Sequence, residues 1–352
     1  RDDFYKRFRQ FGLSAKDVVP SYLANRLSQE FGLLAPSTDL TALYLNNRFY
    51  GTYRFVEVVD ESFLRPFNRM PGNIFSGDAA ERGSYYKGQN RNIFENVIPW
   101  KRASANDRVT SAGTGQLRLL LEDVAGTTFA DHERLMRRVD RGEFARLFSY
   151  QFLVGDPYHD DAVHNQLIYE DPSTQLLHPI PWDTRLLDLS VPQHPVNPWY
   201  QALMRDPFVL DSVMRDVAGR VRDDAILSRA DTLVRSAERR YASYLAYDRL
   251  RGELIPSVGS ADESMRLLHK NASILRRRMQ SDSVVFAATA SAEGMVLDFE
   301  TRGWVGADLV AFTVDAAPTG AVSLRLDRNL NGALDASDPA VAVTVAREGT
   351  GA

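Results

Sequence analysis

Apolar residues near the start of the chain recur with the spacing of an amphipathic helix. Val19, Leu23 and Leu27 lie four residues apart, which puts them on one face of a helix. Ser14 has the side chain of a helix N-cap, and Gly32 is the kind of residue that ends one. The sequence therefore predicts a helix between these two residues, with its apolar face turned to a core.

Two stretches with alternating polarity predict β-hairpins. In "LTALYLNNRFYGTYRFVEVVD" the strand-forming runs flank Asn46-Asn47, and Asn tolerates the left-handed backbone of a tight turn. In "QLIYEDPSTQLLHPIPW" the turn falls at Asp171-Pro172-Ser173-Thr174. Asp60 can cap a short helix over "ESFLRPF", directly after the first hairpin.

The rest of the first 281 residues is predicted to be mostly helical. "EFARLFSYQFLV" lies within a helical stretch over residues 131–154 and is apolar nearly all round, so we expect a buried helix. Residues 198–281 read as three amphipathic helices, one of them starting at Asp206-Pro207. Residues 68–116 are rich in Gly, Asn, Ser and Arg and predict a long loop region with brief strands.

The pattern changes after Ser281. Short apolar or alternating runs such as "SVVFAATASA", "DLVAFTVDA" and "AVAVTVAR" alternate with Gly, Pro and Asp, which is typical of a small β-sandwich-like module. We predict an α+β fold in two domains, residues 1–281 and a small all-β module of residues 282–352.

Composition narrows the possible functions. The chain has 352 residues and a net charge of -4, which argues against a nucleic-acid-binding protein. It has no cysteine, so disulfides, thiolate zinc sites and a cysteine nucleophile are excluded. No apolar run is long enough to predict a transmembrane helix. The sequence begins at Arg1, without Met, and we expect a segment upstream of it to be missing.

Polar groups concentrate between Gly155 and Ser190. A hairpin returns its end to its start, so Asn165 before one strand and Asp183 after the other are expected to lie close together. Asp160 and Asp161 precede Asn165 in the same loop. Two carboxylates and an amide at one place suit phosphoryl transfer, in which one carboxylate orients a hydroxyl and the other groups hold Mg²⁺.

Simpler interpretations of these residues stand beside that one. His159, Asp160 and Asp161 could form a solvated loop, and Asn165 could cap a turn through its side chain. Asp183 could cap the segment that follows it.

Several segments in order resemble the CotH family, named for spore-coat protein H. "LYLNNRFYGTYRFVEVVDESFL" is similar to the family's hairpin and short helix, "PGNIF" to its Gly-Asn-Leu-Tyr, and "HDDAVHNQLIYEDPSTQLLHPIPWD" to its Asp-x-x-x-His-Asn, strand, turn and Ile-Pro-Trp-Asp. The helical "LLHKNASILRRRM" also fits. The likeness extends over roughly residues 5–280 and implies an atypical protein-kinase-like fold with a largely helical C-terminal lobe.

The resemblance also implies roles for single residues. Asp161, or Asp160 because the loop leaves the register open, would be the catalytic base. Asn165 and Asp183 would be ligands of Mg²⁺, and ATP would be the phosphate donor. Glu57 would support a phosphate-contacting basic residue; read without the resemblance, Glu57 could be an exposed cross-strand partner.

The chain departs from the family pattern at three places. Many members follow Trp-Asp with x-Asp, whereas this chain has Thr184-Arg185, so a second metal carboxylate is absent or displaced, for example to Asp188. Ser76 stands where members often have Lys. The family's upstream Arg-Gly…Ser…Lys strand, expected to contact ATP phosphates, has no match after Arg1.

A separate motif near the C-terminus predicts a calcium site. "DRNLNGALDASD" has the residue types of a calcium loop at positions one, three, five, six, nine and twelve, with Asp in place of Glu at the last. An Asn/Asp/Gly-rich turn without metal is the alternative. The predicted ligands are Asp327, Asn329, Asn331, the carbonyl of Ala333, Asp335 and Asp338.

Three functional hypotheses follow. The first is a kinase-like phosphotransferase that uses ATP and Mg²⁺ to phosphorylate Ser or Thr of a secreted or cell-surface protein, in a bacterial setting. The second is a degenerate kinase fold that serves as a binding or structural module of the cell surface. The third is a metal-dependent hydrolase that would use His159, Asp161, His164 and His178. The expected partner is a protein, and a nucleic acid or a membrane span is not expected.

Overall fold

The computed structural model divides the chain into two compact units, Arg1–Gly306 and Ala307–Ala352. The predicted boundary near residue 282 stays a prediction. The residues that the structure describes are 10–78, 92–95, 97–103, 113–156, 165–191, 197–248, 259–280, 283–291, 294–302, 324–325 and 340–341.

A three-stranded antiparallel sheet and one helix form the N-terminal part. The strands are β1 (Phe11–Ser14), β2 (Thr38–Leu45) and β3 (Arg48–Glu57), in the order β1-β3-β2, and α1 (Val18–Glu30) lies between β1 and β2. Asn46 and Asn47 have φ of 51° and 60°, so the first predicted hairpin and its left-handed turn are confirmed.

The two ends of α1 differ in how well the sequence predicts them. Ser14 does not cap the helix, because its backbone pairs with Arg54 at the end of β1, and the N-cap is Asp17. The helix stops before Gly32, which adopts φ +70°, so the predicted C-terminal signal is confirmed.

A four-stranded antiparallel sheet follows, in the order β5-β4-β6-β7. A 3-10 helix (Glu61–Phe67) precedes it, and Asp60 accepts a hydrogen bond from the Ser62 amide as its predicted cap. The second predicted hairpin is also confirmed, with Asp171 accepting from the Ser173 amide in the turn. The strands are β4 (Asn73–Gly77), β5 (Trp100–Arg102), β6 (Gln166–Glu170) and β7 (Leu177–Ile180).

The helices are more numerous than the sequence pattern predicts. The described residues between 198 and 280 form five helices rather than three, because short polar breaks divide the amphipathic pattern. The stretch over residues 131–154 is two helices, because the backbone is extended at Val139, the C-cap of the first, and Asp140 caps the second by accepting from the Glu143 amide. The described helices after α1 are α2 (Gly115–Ala125), α3 (Phe129–Arg138), α4 (Arg141–Val154), α5 (Pro198–Leu203), α6 (Pro207–Arg222), α7 (Ala225–Arg240), α8 (Ala242–Ala246) and α9 (Ala261–Gln280).

Helix α4 lies at the centre of the helical part. It contacts α6, α9, β7 and α1. Tyr150, Leu153 and Val154 are fully buried or nearly so, which confirms the predicted buried helix. A helix that is apolar nearly all round needs several neighbours, and these four elements supply them.

The segment after β7 is fastened to the helical core by one amide side chain. Asn271 on α9 is fully buried, and its Nδ2 donates to the carbonyls of Leu153, at 3.1 Å, and Leu187, at 2.9 Å. Its Oδ1 accepts from the Leu189 amide at 3.0 Å. The Leu187 amide donates in turn to the Val154 carbonyl at 2.8 Å. These bonds fix the path of the chain that follows Asp183.

The described C-terminal strands form two separate pairs. β8 (Ser283–Ser291) pairs with β9 (Gly294–Arg302), and β10 (Leu324–Arg325) pairs with β11 (Ala340–Val341), both antiparallel. The complete β-sandwich-like module stays a prediction. Among the described residues, none of the helices combines the length and the apolar character that crossing a bilayer requires.

The close approach of Gly155 to the chain after β7 predicts a large loss of stability on substitution. A Cβ at Gly155 would lie 2.1 Å from the Leu187 carbonyl oxygen, whereas Gly32, also at positive φ, has nothing within 4 Å. Both Gly→Ala changes lose about 1 kcal/mol from the left-handed backbone, and Gly155→Ala loses roughly 2 kcal/mol more from the clash. Urea unfolding of the two variants measures the difference; equal midpoints would contradict the predicted packing.

Candidate active site

The open end of the β6–β7 hairpin brings two sequence-predicted residues together. Leu167 pairs with Ile180, so Asn165 and Asp183 lie just beyond the two strands on the same side. Their side chains approach at 3.5 Å, from Asn165 Nδ2 to Asp183 Oδ2. The proximity that the hairpin predicts is confirmed, while the roles of these residues as metal ligands stay predictions.

Both residues adopt the left-handed backbone. The φ angle is 62° at Asn165 and 49° at Asp183. Asn and Asp are the non-glycine residues that enter this region most readily, because their short polar side chains bond locally. Such conformations cluster at functional sites, where the surrounding structure holds them. Here the sharp backbone turns aim an amide and a carboxylate at one point.

The predicted catalytic base lies outside the described residues, as Asp160 and Asp161 both fall in residues 157–164. The described chain ends on that side at Asp156, which is 3% exposed and follows the C-terminus of α4. The described residues on either side of this stretch are Asp156, which is buried, and Asn165, which lies beside Asp183.

A buried arginine of the first sheet faces Asp183 and was missed by the sequence analysis. Arg54 lies on β3, is 5% exposed, and its Nη2 approaches Asp183 Oδ1 at 3.4 Å. Its Nε and Nη1 are buried and have no hydrogen-bond partner among the described residues. Burial lowers the pKa of Arg54, and the Asp183 carboxylate opposes that shift.

Unpaired guanidinium nitrogens of this kind are costly, because each unpaired buried donor costs about 1–3 kcal/mol. Arginine binds the oxygens of phosphate and carboxylate groups through its fork of N–H donors. The two unpartnered nitrogens of Arg54 therefore favour an anion at this place, next to the carboxylate and amide of Asp183 and Asn165.

Glu57 lies on β3 with Arg54, but its side chain points to the opposite face of the strand. It is three positions from Arg54, and strand residues an odd number apart point to opposite faces. Its Oε2 accepts from the Ser37 amide at 3.0 Å, and it is 5% exposed, so the interpretation as an exposed cross-strand residue is wrong. Its support of a phosphate-contacting residue stays a prediction.

The residues after Asp183 differ from the family pattern, which has a second carboxylate two positions after the Asp of Trp-Asp. Thr184 is 2% exposed, and its hydroxyl lies beside the buried Tyr150 hydroxyl. Asp188, considered as a displaced carboxylate, has one oxygen 2.6 Å from Lys270 Nζ and the other bonded to Ser190. Hydrogen bonding from Lys270 and Ser190 lowers the pKa of Asp188 to about 2. Its carboxylate is thus already engaged.

The histidine set of the hydrolase hypothesis is only partly described. His159, His164 and Asp161 lie outside the described residues. His178 points into the core, where its Nδ1 lies 3.0 Å from Glu143 Oε2, and it is 2% exposed. It is the second residue of β7, whereas Asp183 lies three residues beyond the other end of that strand. His178 is therefore remote from the Asn165–Asp183 pair.

Taken together, the described residues form an α+β protein in which a buried arginine of one sheet faces an amide and a carboxylate at the end of a hairpin in another. The chain belongs to the CotH family, because the family model described as "CotH kinase protein" matches residues 14–224, more than half of the sequence. The match includes Arg54, Asn165 and Asp183.

Other comparisons add little. No curated protein matches the chain. One solved structure that it resembles is described as "Shewanella oneidensis MR-1 Toxin Antitoxin System HipA, HipB and its operator DNA complex", at 13% identity and a TM-score of 0.32. The match covers 74% of this chain and 58% of that one. A likeness this weak carries no argument about fold or function.

The orphaned donors of Arg54 predict an unusual stability result. Arg54→Met removes a buried charge, two of whose donors are unpaired. The Asp183 carboxylate that remains is about half exposed and can be solvated by water. The free energy of unfolding should therefore change by less than about 1 kcal/mol. The matched control is Arg138→Met, which removes bonds to buried Asp123 and to Gln116 and should cost about 2 kcal/mol or more. Urea unfolding gives both values. A large loss in Arg54→Met would identify Arg54 as a structural residue instead.

Proposed function

We propose that this chain is a kinase-like phosphotransferase that uses ATP and Mg²⁺ to phosphorylate Ser or Thr hydroxyls of a secreted or cell-surface protein. The observation that carries the proposal is the convergence of Arg54, Asn165 and Asp183, with two donors of Arg54 unpartnered. Membership of the CotH kinase family supports a kinase-like fold.

The donor set fits a magnesium ion bound together with phosphates. Mg²⁺ prefers oxygen ligands and usually takes one or two from the protein, with water and phosphate oxygens completing its shell. Asp183 supplies a carboxylate that is 49% exposed, and the side-chain oxygen of Asn165 can join it. When bound, the ion would neutralise charge on the phosphate oxygens.

Arg54 is proposed to hold the phosphates in place of the basic strand residue that the family pattern expects upstream. Its guanidinium lies on β3, adjacent to Asp183, where Nε and Nη1 can donate to two phosphate oxygens. With Arg54 in this role, the Lys that family members often have at position 76 is not required. Ser76 stands there in this chain, on β4 of the other sheet.

Asp161, or Asp160, is proposed as the carboxylate that orients the acceptor hydroxyl. The acceptor oxygen forms a bond to the γ-phosphorus while the bond from that phosphorus to the bridging oxygen of ADP breaks. The acceptor proton passes to the carboxylate.

A degenerate kinase fold that acts as a surface binding or structural module is the second candidate. Thr184-Arg185 in place of a second carboxylate and the engagement of Asp188 by Lys270 favour it. The proposed surface location rests on the family, whose name derives from a spore-coat protein, and stays part of the proposal.

Labelled phosphate transfer tests the proposal. With Mg²⁺ and γ-labelled ATP, the chain should transfer label to itself or to an acceptor protein. Asp183→Ala should reduce this transfer about 100-fold or more, because the variant lacks the carboxylate proposed to hold the Mg²⁺ that offsets the phosphate charge. Arg54→Met should reduce it comparably. Asp211→Asn, which removes an exposed carboxylate paired with Arg215, is the control and should keep the wild-type rate. Transfer unchanged in Asp183→Ala would contradict the assigned role.

The calcium site stays a prediction, because the loop from Asp327 to Asp338 lies outside the described residues. Calcium bound at ten times its dissociation constant stabilises the folded state by about 1.4 kcal/mol. The unfolding midpoint of the whole chain's C-terminal transition should therefore rise in millimolar calcium and should not rise in Asp327→Ala. If calcium changed the midpoint equally in the wild-type chain and in Asp327→Ala, the segment would be an ordinary polar turn without a calcium site.

A further inference from the structure

A second polar cluster lies at the opposite end of β7 from Asp183. Asp140 is the N-cap of α4, Glu143 lies in the first turn of that helix, and His178 is on β7. The backbone fixes the contact, since the Asp140 amide donates to the Leu177 carbonyl at 3.0 Å. None of these groups belongs to the proposed phosphate site.

We propose that Asp140, Glu143 and His178 form a binding site for a divalent transition-metal ion, with zinc as the ion that suits it best. One ligand atom from each residue, two carboxylate oxygens and one imidazole nitrogen, lies within 4.8 Å of the others. His178 Nδ1 is 3.0 Å from Glu143 Oε2 and 3.7 Å from Asp140 Oδ2. Bonds of about 2.0–2.2 Å to a central zinc ion place neighbouring ligand atoms roughly 3–3.5 Å apart.

Each carboxylate has one oxygen held by the protein and the other turned to His178. Asp140 Oδ1 accepts from the Glu143 amide at 2.8 Å, and Glu143 Oε1 is bonded by the Arg69 guanidinium. Outer partners of this type orient the ligands of metal sites and leave the second oxygen for the ion. Both carboxylates are therefore preorganised before an ion arrives.

The imidazole of His178 is the most deeply buried ligand of the cluster, at 2% exposure. Its Nδ1 lies within 4 Å of a carboxylate oxygen of each acidic residue. Its Nε2 lies on the opposite edge of the ring, away from the carboxylates, and has no hydrogen-bond partner in the part of the chain that the structure describes. Imidazole nitrogen with two carboxylate oxygens is a ligand set that zinc accepts and that magnesium does not prefer.

The charges around the cluster also favour a cation. The acidic side chains at this place are Asp140, Glu143 and Asp171; the cations are Arg69, which bonds Glu143 and Asp171, and Arg146, 3.7 Å from Glu143. The carboxylates outnumber the guanidinium groups by one, and a bound cation would offset that difference.

The Asp140 side chain leaves a path for an ion, because it is 32% exposed while Glu143 and His178 are buried. Three protein ligands leave a fourth zinc position for water on that open side. An ion here would join α4 to β7, and it would tighten the hairpin that carries Asn165 and Asp183 at its other end.

The test uses the whole chain, stripped with a chelator and titrated with zinc chloride. We expect one zinc per chain that survives gel filtration and a higher melting temperature with zinc than without it. Asp140→Asn keeps a side chain that caps α4 but removes a ligand carboxylate, so the apo melting temperature should stay close to wild type while zinc affinity falls at least tenfold. His269→Gln, which removes an exposed histidine of α9, is the control and should bind zinc as wild type does.

Two results would overturn the proposal. One is no zinc bound by the wild-type chain at micromolar concentration, which would leave the cluster as a polar contact between α4 and β7. The other is equal zinc affinity in wild type and Asp140→Asn, which would put the ion on other histidines. Neither result depends on phosphate transfer, so this proposal and the proposed function can fail separately.

Discussion

The antiparallel pairing of β6 with β7 decides where the polar groups of both candidate sites lie. Its register places Asn165 and Asp183 together at the open end and His178 near the turn, against α4. A slip of one residue would turn every side chain of a strand to the other face. The turn at Asp171 and the buried Tyr169 and Ile180 oppose such a slip, because they fix the ends and the apolar face of the hairpin.

Arg54 connects this hairpin to the first sheet in a way that stability alone does not explain. A buried guanidinium with two unpaired nitrogens is unfavourable until an anion satisfies it. Arg138, whose side chain is 22% exposed, is different, because it bonds Asp123 and Gln116 and leaves Asp123 well paired. The contrast between these two residues is the physical basis for assigning Arg54 to ligand binding.

Features that depend on neighbours in sequence could be predicted, and those that depend on distant contacts could not. The turn at Asn46-Asn47, the Asp60 cap and the closeness of Asn165 to Asp183 follow from local backbone preferences or from hairpin geometry. Arg54 is separated from Asp183 by 129 positions, so no local pattern could pair them. The Glu143–His178 contact spans 35 positions and was missed for the same reason.

The central claim is that Asp183 and Arg54 bind a nucleotide together with Mg²⁺, and calorimetric titration of a non-hydrolysable ATP analogue tests it most directly. The account predicts micromolar binding that requires Mg²⁺ in the wild-type chain, loss of the Mg²⁺ dependence in Asp183→Ala, and at least tenfold weaker binding in the stably folded Arg54→Met. Binding that is the same in all three proteins, or absent from the wild-type chain with Mg²⁺ present, would contradict it.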